Sequence, residues 1–117
     1  MSITRIAPGT RMSQAAVYNG FVFTAGQVDD QSPTVAGQTE RVLEKIDTLL
    51  TQAGTNRSQI ISANIWLSDI ASFDEMNAVW EAWIDRQNPP TRATVESRLA
   101  GPEYKVEIAV TAAVEPA

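Results

Sequence analysis

Apolar and polar residues alternate in several short runs along the chain, and two longer stretches repeat apolar residues at helical spacing. The alternating runs predict strands at 3–6, 15–18, 21–25, 59–67 and 106–114, with a further strand within 90–100. Asn19-Gly20 joins the second and third runs, and this dipeptide is typical of a tight β-hairpin. The first run is predicted to be a short strand at the edge of a sheet.

The first helical stretch runs from Thr34 or Val35 to Ala53. Its apolar residues recur every three or four positions, and Gly54 follows them as a helix stop. The charged residues of this stretch fall mostly outside the apolar stripe, so we expect them to form a solvated face and not a site. They are Arg41, Glu44, Lys45 and Asp47.

The second helical stretch begins with Ser72-Phe73-Asp74-Glu75, which has the pattern of a capping box. It is predicted to end at Ile84 or Asp85, before the helix-breaking residues 88–90. Trp80 and Trp83 lie on its apolar side, and we expect them to pack in the core and not to form a ligand cage.

This order of elements predicts a single α+β domain over residues 1–117, with two helices on one face of a mixed sheet. Several strands are apolar or small on both sides, as Phe21, Val22 and Phe23 illustrate. Two helices can cover only one face, and monomers avoid a large apolar patch in water. We therefore expect oligomerisation through the other face, with ligand sites in clefts between subunits.

Charge and missing residue types limit the available chemistry. The formal net charge is −5, which gives a nucleic-acid partner little electrostatic support. The chain has no Cys and no His, which excludes disulfides, thiolate nucleophiles, histidine catalysis and zinc sites built on these residues. We predict no metal site, no cofactor and no membrane span. The N-terminal residues lack a signal-peptide pattern, so we expect a cytoplasmic protein.

Two charged residues stand within predicted strands, Arg92 before the turn at 100–103 and Glu107 after it. Charges are rarely placed in strand interiors for stability alone. Arg92 offers a planar fork for a carboxylate, and Glu107 offers an acid, a base or a partner for water. An ion pair of Arg92 with Glu96 or Glu107 explains the same pattern, and both interpretations stand. Gly26 marks either a close approach to a ligand or a simple bend.

The residues around Arg92 and Glu107 resemble the signature of the RidA/YjgF family. Residues 90–100 read P-T-R-A-x-V-x-x-R-x-A, with x for variable positions, and Val106-Glu107-Ile108 follows after five more residues. The resemblance covers nearly the whole chain, and it implies a chorismate-mutase-like fold of the Bacillus type, a homotrimer and three clefts between subunits. Further family positions carry similar residues, namely Thr24 to Gln27, Asp69 and Asn77.

The resemblance also implies a role for individual residues. Arg92 matches the arginine that holds the substrate carboxylate, and Glu107 matches the glutamate that positions or activates water. Gly26 matches a backbone position that lines the cleft, and Asn77 matches a residue close to it. Arg92 and Glu107 are therefore the candidate catalytic residues, and Arg92, Gly26 and Asn77 are candidates for substrate binding.

Three positions depart from the best-known members, which indicates a divergent subgroup. Those members have cysteine where this chain has Thr94, so thiol chemistry is excluded here. They have an aromatic hydroxyl near the position of Met12 and a small hydroxyl residue where Ala25 stands. Thr94 and Met12 complete the candidates for substrate binding.

The reaction implied by the resemblance is hydrolysis of reactive 2-imino and 2-enamino acids to 2-oxo acids and ammonia. Arg11 or Arg98 is a candidate for holding a second carboxylate. Three alternatives remain open: a module that binds 2-oxo acids without turnover, a chorismate mutase, and the ribonuclease activity attributed to the family. The signature supplies one arginine where a chorismate mutase wants several cations, and the acidic chain without His opposes a ribonuclease.

Overall fold

The computed structural model describes residues 2–115. Within these residues, six strands form one mixed sheet that carries two α-helices on one face. The elements in chain order are β1 (Thr4–Ile6), β2 (Ala15–Tyr18), β3 (Phe21–Thr24), α1 (Val35–Ala53), β4 (Ile60–Leu67), α2 (Phe73–Trp83), β5 (Thr91–Glu96) and β6 (Val106–Ala113). The spatial order is β1-β2-β3-β6-β4-β5, and only β4 and β5 run parallel. The predicted fold class, α+β with both helices on one face, is confirmed.

The local signals for the hairpin and for α1 are confirmed by backbone geometry. Asn19 and Gly20 both have positive φ, 52° and 85°, as the two-residue turn between β2 and β3 requires. Thr34 caps α1 by accepting a hydrogen bond from the N–H of Gly37. Gly54 ends the helix in the left-handed region, and its N–H bonds to carbonyls of the last turn.

The predicted capping box at the start of α2 is wrong. The hydroxyl of Ser72 donates to the carbonyl of Asp69, and Glu75 accepts from the N–H of Ala36 on α1. A 3-10 turn at Ile70–Ser72 leads directly into α2, so Ser72 lacks the extended backbone of a capping residue. The sequence pattern also missed this turn and a second one at Arg57–Gln59.

Several element ends differ from their predictions: β1 starts at Thr4, β3 ends at Thr24, β4 starts at Ile60 and β6 ends at Ala113, each one residue inside the predicted run. The ends of α2 and β5 differ as well. Helix α2 stops at Trp83 because Ile84 is extended, with ψ of 149°. Strand β5 ends at Glu96, where its pairing with β4 also ends, and the chain continues to β6 as a loop.

The charged residues of α1 do more than face solvent, so that expectation is partly wrong. Arg41 Nε lies 2.8 Å from Asp29 Oδ1, and Lys45 donates to a carbonyl of the same loop. Asp47 accepts a hydrogen bond from the indole N–H of Trp83. Burial acts to raise the pKa of Asp29, but hydrogen bonds from two backbone N–H groups and from Arg41 hold that pKa below its usual value. These contacts attach the loop before α1, and helix α2, to the charged side of α1.

The core lies between the helices and the covered face of the sheet. Strand β6 shows the alternation clearly, because Val106, Ile108, Val110 and Ala112 are buried while the residues between them are only partly buried. Burying such side chains contributes about 1.5–3 kcal/mol each. The helices supply the opposing buried side chains, among them Val42, Leu43, Ile46, Leu50, Met76 and Trp80.

The other face of the sheet carries apolar side chains that nothing in residues 2–115 covers. Val22 and its registered partners point to the helices, so the alternate residues of the same strands point away from them. Phe21, Phe23 and Val95 are 40%, 49% and 49% exposed on this side. We refer to it as the uncovered face.

Gln38 on α1 ties two loops together inside the protein. Its side chain is 1% exposed, and its Nε2 donates to the carbonyls of Ser32 and Glu103. Its Oε1 accepts from the N–H of Lys105, immediately before β6. A buried amide with all these bonds satisfied is costly to replace, because the backbone groups would lose their partners.

We predict that Gln38→Leu, which keeps the side-chain volume, lowers the free energy of unfolding by about 2–4 kcal/mol, because three backbone groups lose their hydrogen bonds. Urea denaturation followed by tryptophan fluorescence measures this. Gln52→Leu on the exposed side of α1 is the matched control and should change stability by less than about 0.5 kcal/mol. Equal effects of the two substitutions would contradict the assigned role.

Candidate functional site

Arg92 lies on β5 with its side chain on the helix-covered face. It is in register with Ala63, and its guanidinium reaches α2, where Nη1 donates to Asn77 Oδ1 at 2.7 Å. The guanidinium carbon lies 5.5 Å from the ring centroids of both Phe73 and Trp80. Two aromatic rings and one amide of α2 therefore hold this cation in place.

The charge of Arg92 has no carboxylate partner within ion-pair distance among residues 2–115. Burial lowers the pKa of Arg92 and the charge of Glu81 opposes this, but an arginine stays protonated in proteins. The predicted ion pairs are not formed, since Glu96 accepts from the N–H of Ile70 and Glu107 lies on the other face. Within the described chain, Nε and Nη2 make no hydrogen bond, so one edge of the fork is unpaired.

Thr94 lies two residues after Arg92 on the same face of β5. Its Oγ1 is buried and has no hydrogen-bond partner among residues 2–115. A buried hydroxyl without a partner costs about 1–3 kcal/mol. Such a group is therefore uncommon in folded proteins unless a ligand or a water molecule bonds to it. Adjacent positions on one strand face are about 7 Å apart, so the hydroxyl lies near Arg92 but has no surface open to solvent.

Glu107 lies on the uncovered face, because Val106 and Ile108 on either side of it point to the helices and are fully buried. Gln27 pairs with Ile108 through two backbone hydrogen bonds of 2.8 and 3.2 Å, which places Gly26 against Glu107. A methyl group on Gly26 would overlap the Glu107 carboxylate. The missing side chain of Gly26 thus makes room for the Glu107 carboxylate, and the approach of a ligand to this glycine stays a prediction.

The candidate residues form two separate groups in one chain. We call Arg92, Asn77 and Thr94 the arginine half-site, and Gly26 and Glu107 the glutamate half-site. They lie on opposite faces of the sheet, and β4 separates their strands, a lateral distance of about 10 Å. A direct ion pair between Arg92 and Glu107 is therefore not formed within residues 2–115, and their joint role in a cleft between subunits stays a prediction.

The remaining candidates lie apart from these groups. Met12 stands in the loop between β1 and β2 and is 51% exposed. Arg98 lines an open depression of about 670 Å³ beyond the ends of β4 and β5, together with Ser68 and Tyr104. Arg11 is exposed in the same loop as Met12.

Sequence reasoning missed the aromatic residues that hold Arg92. The sequence predicts a core position for Trp80, which is indeed buried, and assigns no role to Phe73, but both rings also lie against the guanidinium. Phe73 lies four residues before Asn77 and Trp80 lies three residues after it, so all three residues share one face of the helix. That shared face was the available signal.

The described part of the chain offers neither a cluster of metal-ligating side chains nor a helix that could span a membrane. Within residues 2–115, no three carboxylates come together as a metal site would need. None of the helices there is both long and apolar enough to cross a membrane.

Known proteins resemble this chain over nearly its whole length. The model of the family described as Endoribonuclease L-PSP matches residues 2–114. A RutC family protein of Haemophilus ducreyi is 44% identical over 113 residues, which cover 96% of this chain and 97% of the relative. The RutC family protein YoaB of Escherichia coli is 37% identical over 114 residues, with 97% and 100% covered.

Solved structures share the fold. A member of the YjgF protein family from Neisseria meningitidis superposes with a TM-score of 0.97 at 40% identity, covering 100% of this chain and 98% of that one. A member of the YjgF/YER057c/UK114 family from Mycobacterium tuberculosis gives 0.88 at 27% identity, covering 97% and 100%.

We predict that Gly26→Ala displaces the Glu107 carboxylate while the chain stays folded. Gly26 does not have positive φ, so alanine brings no backbone strain, and the unfolding free energy should change by less than about 1 kcal/mol. A crystal structure of the variant would show a new Glu107 rotamer. Gly9→Ala, where a methyl group meets only a carbonyl at 3.5 Å, is the control. An unmoved Glu107 would contradict the prediction.

Proposed function

Because the chain belongs to the RidA/YjgF family, we propose that it hydrolyses reactive 2-imino and 2-enamino acids to 2-oxo acids and ammonia. The observation that carries the proposal is the partly buried guanidinium of Arg92, whose Nε and Nη2 edge has no partner among residues 2–115. That edge has the geometry for two parallel hydrogen bonds to a carboxylate.

The surroundings of Arg92 support a small planar carboxylate as the ligand. Asn77 occupies Nη1, and the rings of Phe73 and Trp80 restrict the guanidinium plane, so the free edge is already oriented before a ligand binds. Orientation before binding reduces the entropy lost when a complex forms. The unpaired hydroxyl of Thr94 is buried, so it would reach the imine nitrogen or the second carboxylate oxygen only if its side chain rotates when the ligand binds.

In the proposed mechanism, Arg92 binds the carboxylate and withdraws electron density from the conjugated imine carbon. Glu107 accepts a hydrogen bond from a water molecule, whose oxygen attacks that carbon while its proton passes to Glu107. Glu107 returns this proton to the imine nitrogen, which gives a tetrahedral carbinolamine with a hydroxyl and an NH2 group. The hydroxyl proton then passes through Glu107 to the nitrogen while the C–N bond breaks, which leaves the C=O group of the 2-oxo acid and releases ammonia. Imines of this kind already hydrolyse in water, so orientation and charge stabilisation are sufficient.

We propose further that the two half-sites meet between copies of the chain, in a homotrimer. The half-sites lie on opposite faces of one sheet, so a neighbouring copy has to supply the missing half. The exposed Phe21, Phe23 and Val95 support association through the uncovered face, since an apolar patch of this kind marks an interface. Each of three clefts would then combine Arg92 of one chain with Glu107 of the next.

A module that binds 2-oxo acids without turnover is the second candidate, because an oriented guanidinium would serve it equally well. If the protein accelerates the loss of the imine, it is a hydrolase, and if it binds a 2-oxo acid without this acceleration, it is a binding module. A chorismate mutase activity fits less well, since the arginine half-site offers one cation for a substrate that is a dianion. The matching family is described as an endoribonuclease. A net charge of −5 and the lack of His oppose RNA cleavage by this chain.

We predict that Arg92→Ala lowers kcat/KM for 2-iminobutanoate by about 100-fold or more, because a bidentate charge-assisted contact is lost. A threonine dehydratase supplies the imine, and semicarbazide traps the imine that the protein has not yet hydrolysed. A slower formation of semicarbazone therefore indicates a higher activity. Arg5→Ala on β1 is a control of equal charge change. Full activity in Arg92→Ala, or an unchanged imine lifetime with the wild type, contradicts the proposed reaction.

We predict that mixing two inactive variants restores activity. Arg92→Ala and Glu107→Gln are unfolded together in equal amounts and refolded, so that subunits assort at random. If each cleft takes Arg92 and Glu107 from different chains, about a quarter of the clefts carry both wild-type residues. The semicarbazone assay should then show about a quarter of wild-type activity. No recovery in refolded mixed oligomers would place both residues of a cleft in one chain.

A further inference from the structure

Glu81 is placed where helix energetics disfavour it. Helix α2 ends at Trp83, and its last turn carries no basic residue but does carry this carboxylate. The carbonyl end of a helix has partial negative charge, so an acid there costs a few tenths of a kcal/mol or more. Its side chain is 56% exposed, so it contributes little to packing.

Glu81 is in contact with the residue that holds Arg92. Asn77 Nδ2 donates to Glu81 Oε1 at 2.9 Å, and Asn77 Oδ1 accepts from Arg92 Nη1 at 2.7 Å. An amide can present either its oxygen or its NH2 group to a given neighbour. The carboxylate accepts only from the NH2 group, so it fixes the amide with the oxygen towards Arg92. With the amide reversed, two donors would face each other.

Arg86 holds the other side of Glu81. Its Nε donates to the Glu81 carbonyl at 3.0 Å, and its Nη2 lies 3.9 Å from Oε2. The contact is exposed and long, so it limits the rotation of the carboxylate and adds little energy. Residues 77, 81 and 86 thus form a chain of contacts that ends at the guanidinium.

We propose that Glu81 is a positioning residue for the carboxylate site: it acts through Asn77 to keep the Nε and Nη2 edge of Arg92 turned towards the ligand. The inference rests on the proposed binding of a substrate carboxylate by Arg92. Glu81 touches neither substrate nor water in this role. It orders the amide, the amide orders the guanidinium, and the ordered guanidinium binds with less loss of entropy.

The kinetic test uses Glu81→Ala in the full-length protein. Loss of one ordering hydrogen bond should raise KM for 2-iminobutanoate and the Kd for 2-oxobutanoate by roughly five-fold, with kcat within about two-fold of wild type. Stability should stay equal or rise, because an acid leaves the end of the helix. Glu81→Gln, which keeps an acceptor oxygen, should recover most of the lost affinity. Glu40→Ala on α1 controls for the change in net charge.

A double variant tests the route through Asn77. If Glu81 acts only by orienting that amide, Glu81→Ala adds no further loss of affinity when Asn77→Ala is already present. Additive losses in the double variant would overturn the inference. So would a wild-type KM in Glu81→Ala, or a Glu81→Gln variant as weak as Glu81→Ala.

An NMR measurement separates this inference from the proposed reaction. The order parameter of the Arg92 Nε–H bond, measured by nitrogen relaxation and identified by its absence in Arg92→Lys, should fall in Glu81→Ala, because the guanidinium is less ordered. This readout needs no turnover. If the wild type does not accelerate imine loss but the order parameter still falls in Glu81→Ala, the reaction is wrong and the positioning role stands. An unchanged order parameter overturns the positioning role.

Discussion

In the part of the chain that the structure describes, two helices cover only one face of a six-stranded sheet, and most other features of the protein depend on this constraint. The covered face holds the core, so strands such as β6 alternate between buried residues and residues that meet no helix. Any side chain on these strands belongs to one of two environments. One is the packed layer under the helices, and the other is a face with exposed aromatic and aliphatic residues.

The candidate site illustrates both environments. Arg92 lies under α2, where Phe73, Trp80 and Asn77 contact its guanidinium. A buried charge is costly unless another group binds it, so this guanidinium favours an anionic partner. Glu107 is turned to the uncovered face, and the missing side chain of Gly26 makes room for its carboxylate. In the proposed function, one chain therefore supplies two separate halves of a site. Each half is well ordered by its own neighbours, and neither can perform the proposed hydrolysis alone.

Local patterns predicted the elements well wherever nearby residues decide the conformation. The Asn19-Gly20 turn, the cap at Thr34 and the stop at Gly54 all depend on backbone geometry within a few residues, and all are present. The signal at Ser72 failed because a preceding 3-10 turn set the backbone and a contact with α1 took Glu75. A capping motif competes with tertiary partners for the same hydrogen bonds.

The sequence by itself determined the element types, the α+β class, the family and the residues that carry the candidate chemistry. It did not determine the face on which Arg92 lies. In β5, Ala93 and Val95 are the apolar residues, so alternation alone would turn them inwards, yet Arg92 and Thr94 lie under α2. The register of β5 against β4 decides this, together with the position of α2. Both depend on contacts between distant segments, and only the tertiary structure shows that Arg92 and Glu107 point in opposite directions.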